Sequence, residues 1–560
     1  MLRVNIWASG CICGWVVLAA GVVGGADRLR ELQTAAIEAG ESPAAHWGTR
    51  PGVYSDWSNH TNRLIPVYAF GTRGKAPGID LESYTGKNSA YRNADLVRRI
   101  YGRLPTNTVN PGADYMDQTD LAALQRAALA GGKKHVILVV FDGMDWQTTR
   151  AAAIYNQGRV SYTAGRGAGT HFQNYTAGET TQFGFMVTSP HNEGTLTDVD
   201  DQRVLNPGGK LFGGYNAVKG GATPWTPGDD ANYLIARSNS RFNPLAVGEH
   251  AFPDSASTAT AMTTGVKTFN NAIDVDQGGG QLTTVAHDAQ ARGFLAGVVT
   301  SVPFSHATPA CAYAHNVDRD DYQDLSRDLL GLPSISHPKL PLPGLEVVIG
   351  GGYGVDVRQD KAQGANFEPG NQFLAAADLQ QIDASHGGKY VVAQRTAGVK
   401  GKDRLLAVAR ESARQNKRLF GFYGVGVIKG HLPFQTADGG YDPAPGKSKR
   451  AEVYSRADLE ENPTLADMTA AALIRLGAAS RGFWLMVEAG DVDWANHDNN
   501  LDNSIGAVNS GDAAVKVITD WVEKNSNWQE TVLIVTADHG HFLVIDRPEL
   551  IAGQPAAAGE

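Results

Sequence analysis

Three short stretches of this chain share one pattern, an apolar run closed by an acid: HVILVVFDG from His135, FWLMVEAGD from Phe483 and TVLIVTADH from Thr531. Residues 136–141 are continuously apolar and mostly β-branched, so neither face of such a strand is suited to water. A run of this kind predicts a strand buried on both faces of a parallel sheet. Residues 483–487 and 532–536 read the same way, and helical patterns at 463–476 and 511–524 lie between the runs. Strands alternating with helices predict an α/β fold, a three-layer α/β/α sandwich around a central, mainly parallel sheet.

The acids that close the runs are Asp142, Glu488 and Asp538. Ligands of open α/β sheets bind outside the carboxyl ends of the strands, where these three would gather. A single carboxylate there can simply cap the next helix. The spacing argues for more, because EAGDVDWANH sets Glu488, Asp493 and His497 close together and TADHGH adds Asp538, His539 and His541. Carboxylate mixed with imidazole suits Zn²⁺, and carboxylate with hydroxyl oxygen suits Mg²⁺. In FPDSASTATAMTTGVKT, Ser255 follows Asp254 and precedes a small-residue run that predicts a helix. The serine is either an ordinary cap or a nucleophile at a helix N-terminus, which is a ready anion site.

Together these segments resemble the alkaline phosphatase family of the serine-nucleophile type. FDGM, DSASTATA, TGVKT, HATPA, AHNVDRDDY, PTLADMTAAAL, VEAGDVDWANH and IVTADHGH occur between residues 134 and 545 in the family's order. The resemblance implies a phosphate monoester hydrolase with two Zn²⁺ and one Mg²⁺, acting on small-molecule monoesters through a phosphoserine at Ser255. It implies that Asp142 bridges one zinc and the magnesium, with Asp538 and His539 on that zinc and Thr308 and Glu488 on the magnesium. Asp493 and His497 would hold the other zinc, Arg319 would clamp the phosphate, and Asp254 would orient Arg319. His306 and Trp494 stand at positions where the family varies. His306 is expected to reach magnesium through water, and His541 is expected to support a ligand rather than be one. The alternatives left open are a phosphodiesterase of the same superfamily and a non-catalytic phosphate- or metal-binding relative. A sulfatase would need its Cys or Ser in a C/S-x-P-x-R context, which Ser255 lacks.

In the family's usual order the TADH motif is followed by a His-Thr pair, a VPVYAxG strand and a closing helix. Here no histidine follows His541, but HTNRLIPVYAFG begins at His60 and a helical pattern runs over 93–104. The expectation is a circular permutation within a single domain, 27–560. Residues 46–105 would do the work of the usual C-terminal segment, 106–133 would be a connector with its own short helix, and 134–545 would be the main body. An insertion around 180–250, containing a Gly-rich run, is expected to be a surface loop. His60 should then join Asp493 and His497 on one metal, and Glu560 should end near the start of the mature chain.

Residues 1–26 have the charged start, apolar middle and small-residue end of a secretory signal peptide. That layout implies export to the periplasm or beyond, with a retained membrane anchor as the competing reading. Removal of the segment takes Cys11 and Cys13 with it and leaves Cys311 as the one remaining cysteine, so no internal disulfide forms. The 560-residue chain carries 49 basic and 58 acidic side chains for a net charge of -9, which argues against nucleic acid as a partner. A homodimer is left open.

Overall fold

The computed structural model describes residues 27–235 and 250–553. Residues 1–26, expected as a signal peptide, and Glu560 lie outside the described residues. Ten strands form the central sheet. In chain order they are β1 (Ile65–Phe70), β2 (Met116–Asp117), β3 (His135–Phe141), β4 (Gln182–Val187), β5 (Leu295–Pro303), β6 (Val347–Gly351), β7 (Tyr390–Gln394), β8 (Arg418–Phe422), β9 (Phe483–Ala489) and β10 (Thr531–Thr536). Across the sheet the order is β7-β8-β6-β5-β9-β3-β10-β1-β4-β2. From β7 to β10 every neighbouring pair is parallel. Strand β1 runs antiparallel to both β10 and β4, and β2 is parallel to β4.

The apolar runs that predicted parallel strands are buried along their whole length in β3, β9 and β10. Helices cover both faces. Gly401–Gln415, Leu465–Leu476 and Leu501–Asn525 pack side by side on one, and Asp120–Ala130, Ser255–Thr264 and Val285–Ala291 on the other. Local chemistry sets where they start: Thr464 and Asp467 form a reciprocal cap on one helix, and Asn500 caps the long one. The long helix comes so near the sheet that a Cβ at Gly511 would lie 2.3 Å from a ring carbon of Phe141.

Two expectations change in detail. The helical pattern at 93–104 stops earlier, as Ala94–Tyr101, because Gly102 takes a left-handed conformation at φ 68°. The region expected as a surface loop begins inside the core, since β4 lies between β1 and β2 in the sheet and five of its six residues are buried. Beyond β4 the chain does turn into short bridges and turns, with Leu196, Leu205 and Val218 exposed. The connector carries β2 and an 11-residue helix that buries six side chains.

The two ends of the described chain meet. Ala45–Trp47 pairs antiparallel with Leu543–Ile545, and the Arg28 guanidinium donates to the carbonyl of Leu550. Cys311 is buried and unpaired. Among the described residues, no helix is long and apolar enough to cross a membrane.

Candidate functional site

Asp254 takes an extended conformation and accepts from the backbone N–H of Ser257, which starts the helix Ser255–Thr264 with Ser255 as its first residue. The serine Oγ therefore sits at the positive end of the helix, 3.2 Å from His539 Nε2 and 3.4 Å from Asp142 Oδ1. The other Asp254 oxygen accepts from the Asn271 N–H at 3.0 Å and from Arg319 Nη1 at 3.0 Å. Burial opposes the charge of Arg319, but Asp254 and Asp320 outweigh it and raise its pKa, so the guanidinium stays protonated.

Around Ser255 the strand-end acids close up as the parallel topology requires. His539 Nε2 lies 3.4 Å from Asp142 Oδ1 and 3.4 Å from Asp538 Oδ2. Donors about 2.0–2.1 Å from a tetrahedral zinc lie about 3.3 Å from one another, and His539 Nε2 keeps that spacing to Asp142 Oδ1, Asp538 Oδ2 and Ser255 Oγ. Thr258 Oγ1 and the Gly143 N–H hold the two Asp538 oxygens, and Gln118 donates to the Asp538 carbonyl at 2.7 Å. Gly143 has φ 75°, and a Cβ there would come within 3.0 Å of the Asp493 backbone and the His541 ring.

A second group joins chain segments far apart in sequence. His60 Nε2 is 3.0 Å from His497 Nε2, and Asp493 Oδ1 lies 3.5 Å from the first and 3.4 Å from the second. His60 Nδ1 faces the Pro253 carbonyl at 2.9 Å and His497 Nδ1 faces the Ser58 carbonyl at 2.8 Å. A carbonyl only accepts, so each Nδ1 carries the proton and each Nε2 presents a lone pair. Two lone pairs face to face at this distance repel unless a cation lies between them, which is the arrangement of paired histidine ligands. His541 Nε2 is 2.8 Å from Asp493 Oδ1 and fixes that carboxylate.

The third group shares Asp142. Thr308 Oγ1 donates to Asp142 Oδ2 at 3.3 Å. Glu488 accepts from Thr300 through one oxygen, and its other oxygen, Oε1, is buried with no partner. An orphaned carboxylate oxygen beside a hydroxyl and a second carboxylate is the donor chemistry of magnesium. Burial, then repulsion from Asp538, Asp493 and Glu488, raises Asp142 well above the ordinary carboxylate range. Burial likewise raises Glu488 to about 8 and Asp538 to about 6. Burial also lowers His497 and His539, and lowers His541 to about 3, which favours their neutral forms. Crowded carboxylates short of positive charge and neutral imidazoles form a donor set that fits divalent cations.

The site opens into a cavity of about 910 Å³ whose wall includes Ser255, His306, Arg319, Lys429, Trp494 and His497. The His306 ring lies 5.7 Å from that of Trp494 and 6.3 Å from that of Tyr322, and burial lowers its pKa to about 3. Lys429, 5.8 Å from the Trp494 ring, belongs to that wall, and His431 packs against Trp494 at 4.9 Å ring to ring. The sequence reading missed Gln118, Gly143, Thr258, Lys429 and His431. Gln118 looks like an ordinary helix-flanking polar residue, Thr258 like an ordinary polar residue within a helix, and the last two sit on the loop after β8, where no spacing marks them.

A parallel sheet whose strand ends gather acids and imidazoles beside a helix N-terminus defines an α/β protein built around candidate metal centres. The chain belongs to the alkaline phosphatase family, whose profile, described as Alkaline phosphatase, matches residues 229–554. It is similar to alkaline phosphatase 4 of Bacillus subtilis, 28% identical over 52% of this chain and 50% of the relative. It is also 32% identical to the alkaline phosphatase of Escherichia fergusonii over 53% of this chain and 59% of the relative. The chain thus spans about half the length of the curated relatives it matches. Among solved structures it is similar to the alkaline phosphatase of Thermus thermophilus, with TM-score 0.42 and 22% identity over 73% of this chain and 60% of that one. A cold-active alkaline phosphatase from Shewanella gives TM-score 0.41 and 19% identity over 73% of this chain and 68% of that one. His60 and Asp142 precede the segment that the family profile matches, yet the fold sets both among its candidate ligands.

Proposed function

We propose that this chain is a metal-dependent phosphate monoester hydrolase that works through a phosphoserine at Ser255. The observation that carries this reading is the Ser255 Oγ at a helix N-terminus, 3.2 Å from His539 Nε2 and 3.4 Å from Asp142 Oδ1. Asp142, Asp538 and His539 would hold one zinc, Asp493, His497 and His60 the other, and Asp142, Thr308 and Glu488 the magnesium. When bound, the metals supply Lewis acidity to the attacking and leaving oxygens of an in-line displacement.

Arg319, oriented by Asp254, binds two phosphate oxygens with its planar fork and presents phosphorus to Ser255. The Ser255 hydroxyl gives its proton to water and its oxygen bonds to phosphorus as the bond to the alcohol oxygen breaks. The alcohol leaves and takes up a proton. Water then attacks the phosphoserine, the bond from phosphorus to Oγ breaks, and inorganic phosphate leaves as the serine hydroxyl re-forms. The helix N-terminus favours the negative charge on the phosphoryl group throughout. Comparing turnover of a nitrophenyl monoester with that of the bis-nitrophenyl ester tests the substrate class. The monoester should be the better substrate by orders of magnitude, and equal or greater turnover of the diester overturns the assignment.

The proposal includes a circular permutation, with residues 46–105 in the place of the family's C-terminal segment. The pairing of β1 with β10, of His60–Thr61 with Gly540–His541, and the meeting of Arg28 with Leu550 support it. Export through residues 1–26 belongs to the same proposal.

A further inference from the structure

Beyond the centre around Ser255, the described residues contain another cluster of ligand-type side chains, His315, Asp328 and His337, with one donor atom from each lying within 4.8 Å of the others. His315 follows the short helix Ala307–Ala310, Asp328 lies on the helix Tyr322–Leu330, and His337 is on the loop after it. His315 Nε2 faces the Leu282 carbonyl at 2.7 Å, so that nitrogen carries the proton. Its Nδ1 is then a bare lone pair, and it is buried with no partner. An unsatisfied buried acceptor costs about 1–3 kcal/mol, and a hydrogen-bonded cluster kept only for stability would not leave one.

The surroundings are set up as they are around metal ligands. His337 Nδ1 lies 3.0 Å from Asp328 Oδ1, Ser334 Oγ donates to the same oxygen at 2.6 Å, and the His315 backbone N–H donates to Asp328 Oδ2 at 3.0 Å. The carboxylate is thereby fixed between the two histidines. The His287 ring is 5.3 Å from that of His315, and its Nε2 is also buried without a partner.

We propose that His315, Asp328 and His337 form a separate zinc-binding site. Two imidazoles and a carboxylate are three protein donors suited to Zn²⁺, and a water completes the tetrahedral shell. The site ties together the two segments on either side of the substrate cavity's arginine. His315 precedes Arg319 by four residues, and Asp328 shares a helix with Tyr322, which lines the same cavity. Zinc here would brace the turn that presents Arg319.

The test is metal stoichiometry together with zinc-edge anomalous scattering, both on the full chain loaded with zinc and magnesium and then dialysed free of excess. The wild-type protein should give an anomalous peak among His315, Asp328 and His337, and should hold one more zinc per chain than His337→Ala. His337 is at the edge of the cluster, so the variant should keep the wild-type circular dichroism. The anomalous map of the wild type needs no variant at all. Equal zinc counts in the two proteins, or no peak at the cluster while peaks appear around Ser255, would overturn the site. Because the readout is the position of a metal and not turnover, the result is independent of the function proposed for Ser255.

Discussion

His60→Ala is the most demanding test of how this chain builds its second metal group, because the residue comes from a segment distant in sequence from the other donors. In the structure His60 Nε2 is 3.0 Å from His497 Nε2 and 3.5 Å from Asp493 Oδ1. Catalytic zinc sites take three protein ligands, and the substitution leaves two. Loss of even a residue that merely supports a ligand costs about 10–100-fold in metal affinity or activity. Loss of the ligand itself should then cost at least about 100-fold in kcat/KM, or about 2.7 kcal/mol at 1.36 kcal/mol per tenfold. The assay is nitrophenyl phosphate hydrolysis with parallel metal analysis of the same preparation. The variant should lose one zinc per chain while its thermal transition stays close to wild type, since β1 begins beyond the substitution and keeps its packing. Full zinc content with wild-type turnover would refute the assignment of His60 and remove the functional support for the permutation.

Three further outcomes are expected. Arg319→Lys keeps the charge but loses the planar fork, so the KM for monoesters and the inhibition constant of inorganic phosphate should both rise by about tenfold, read from steady-state kinetics. Gly143→Ala puts a Cβ at a left-handed position, within 3.0 Å of Asp493 and His541, and should lower both turnover and the melting temperature. The buried His135 at the start of β3 has a pKa lowered to about 4 from 6.5, chiefly by burial. Its neutral form is favoured in the folded state, so its contribution is complete above 6.5 and is lost as pH falls toward 4. His135→Asn should flatten the acid side of the stability curve by about 3 kcal/mol, measured by urea unfolding across that window.

What the sequence revealed follows from which features repeat. The β3, β9 and β10 runs are apolar on both faces, and that alone sets them in the middle of a parallel sheet with their acids at one rim. Asp142, Glu488 and Asp538 were therefore legible from pattern. His60 was legible only from its resemblance to a family motif, because the groups its ring faces, the Pro253 carbonyl and the His497 ring, are 193 and 437 residues away. Strand β4 was not legible: QFGFMV neither alternates nor forms a continuous β-branched run, and it is held by antiparallel pairing to β1. Gln118 was not legible either, since its role is one hydrogen bond to the Asp538 carbonyl. The cavity wall at Lys429 arises where a loop packs against Trp494, and loops carry no periodicity.

The central claim is that Ser255 carries the phosphoryl group. Acid quenching of the metal-loaded protein during turnover of a phosphate monoester, followed by mass spectrometry of its peptides, tests it directly. The account predicts a phosphorylated peptide with the modification on Ser255, and predicts that Ser255→Ala shows neither the modified peptide nor wild-type turnover. Wild-type turnover in Ser255→Ala, or phosphorylation at a different residue in the wild-type protein, would contradict it.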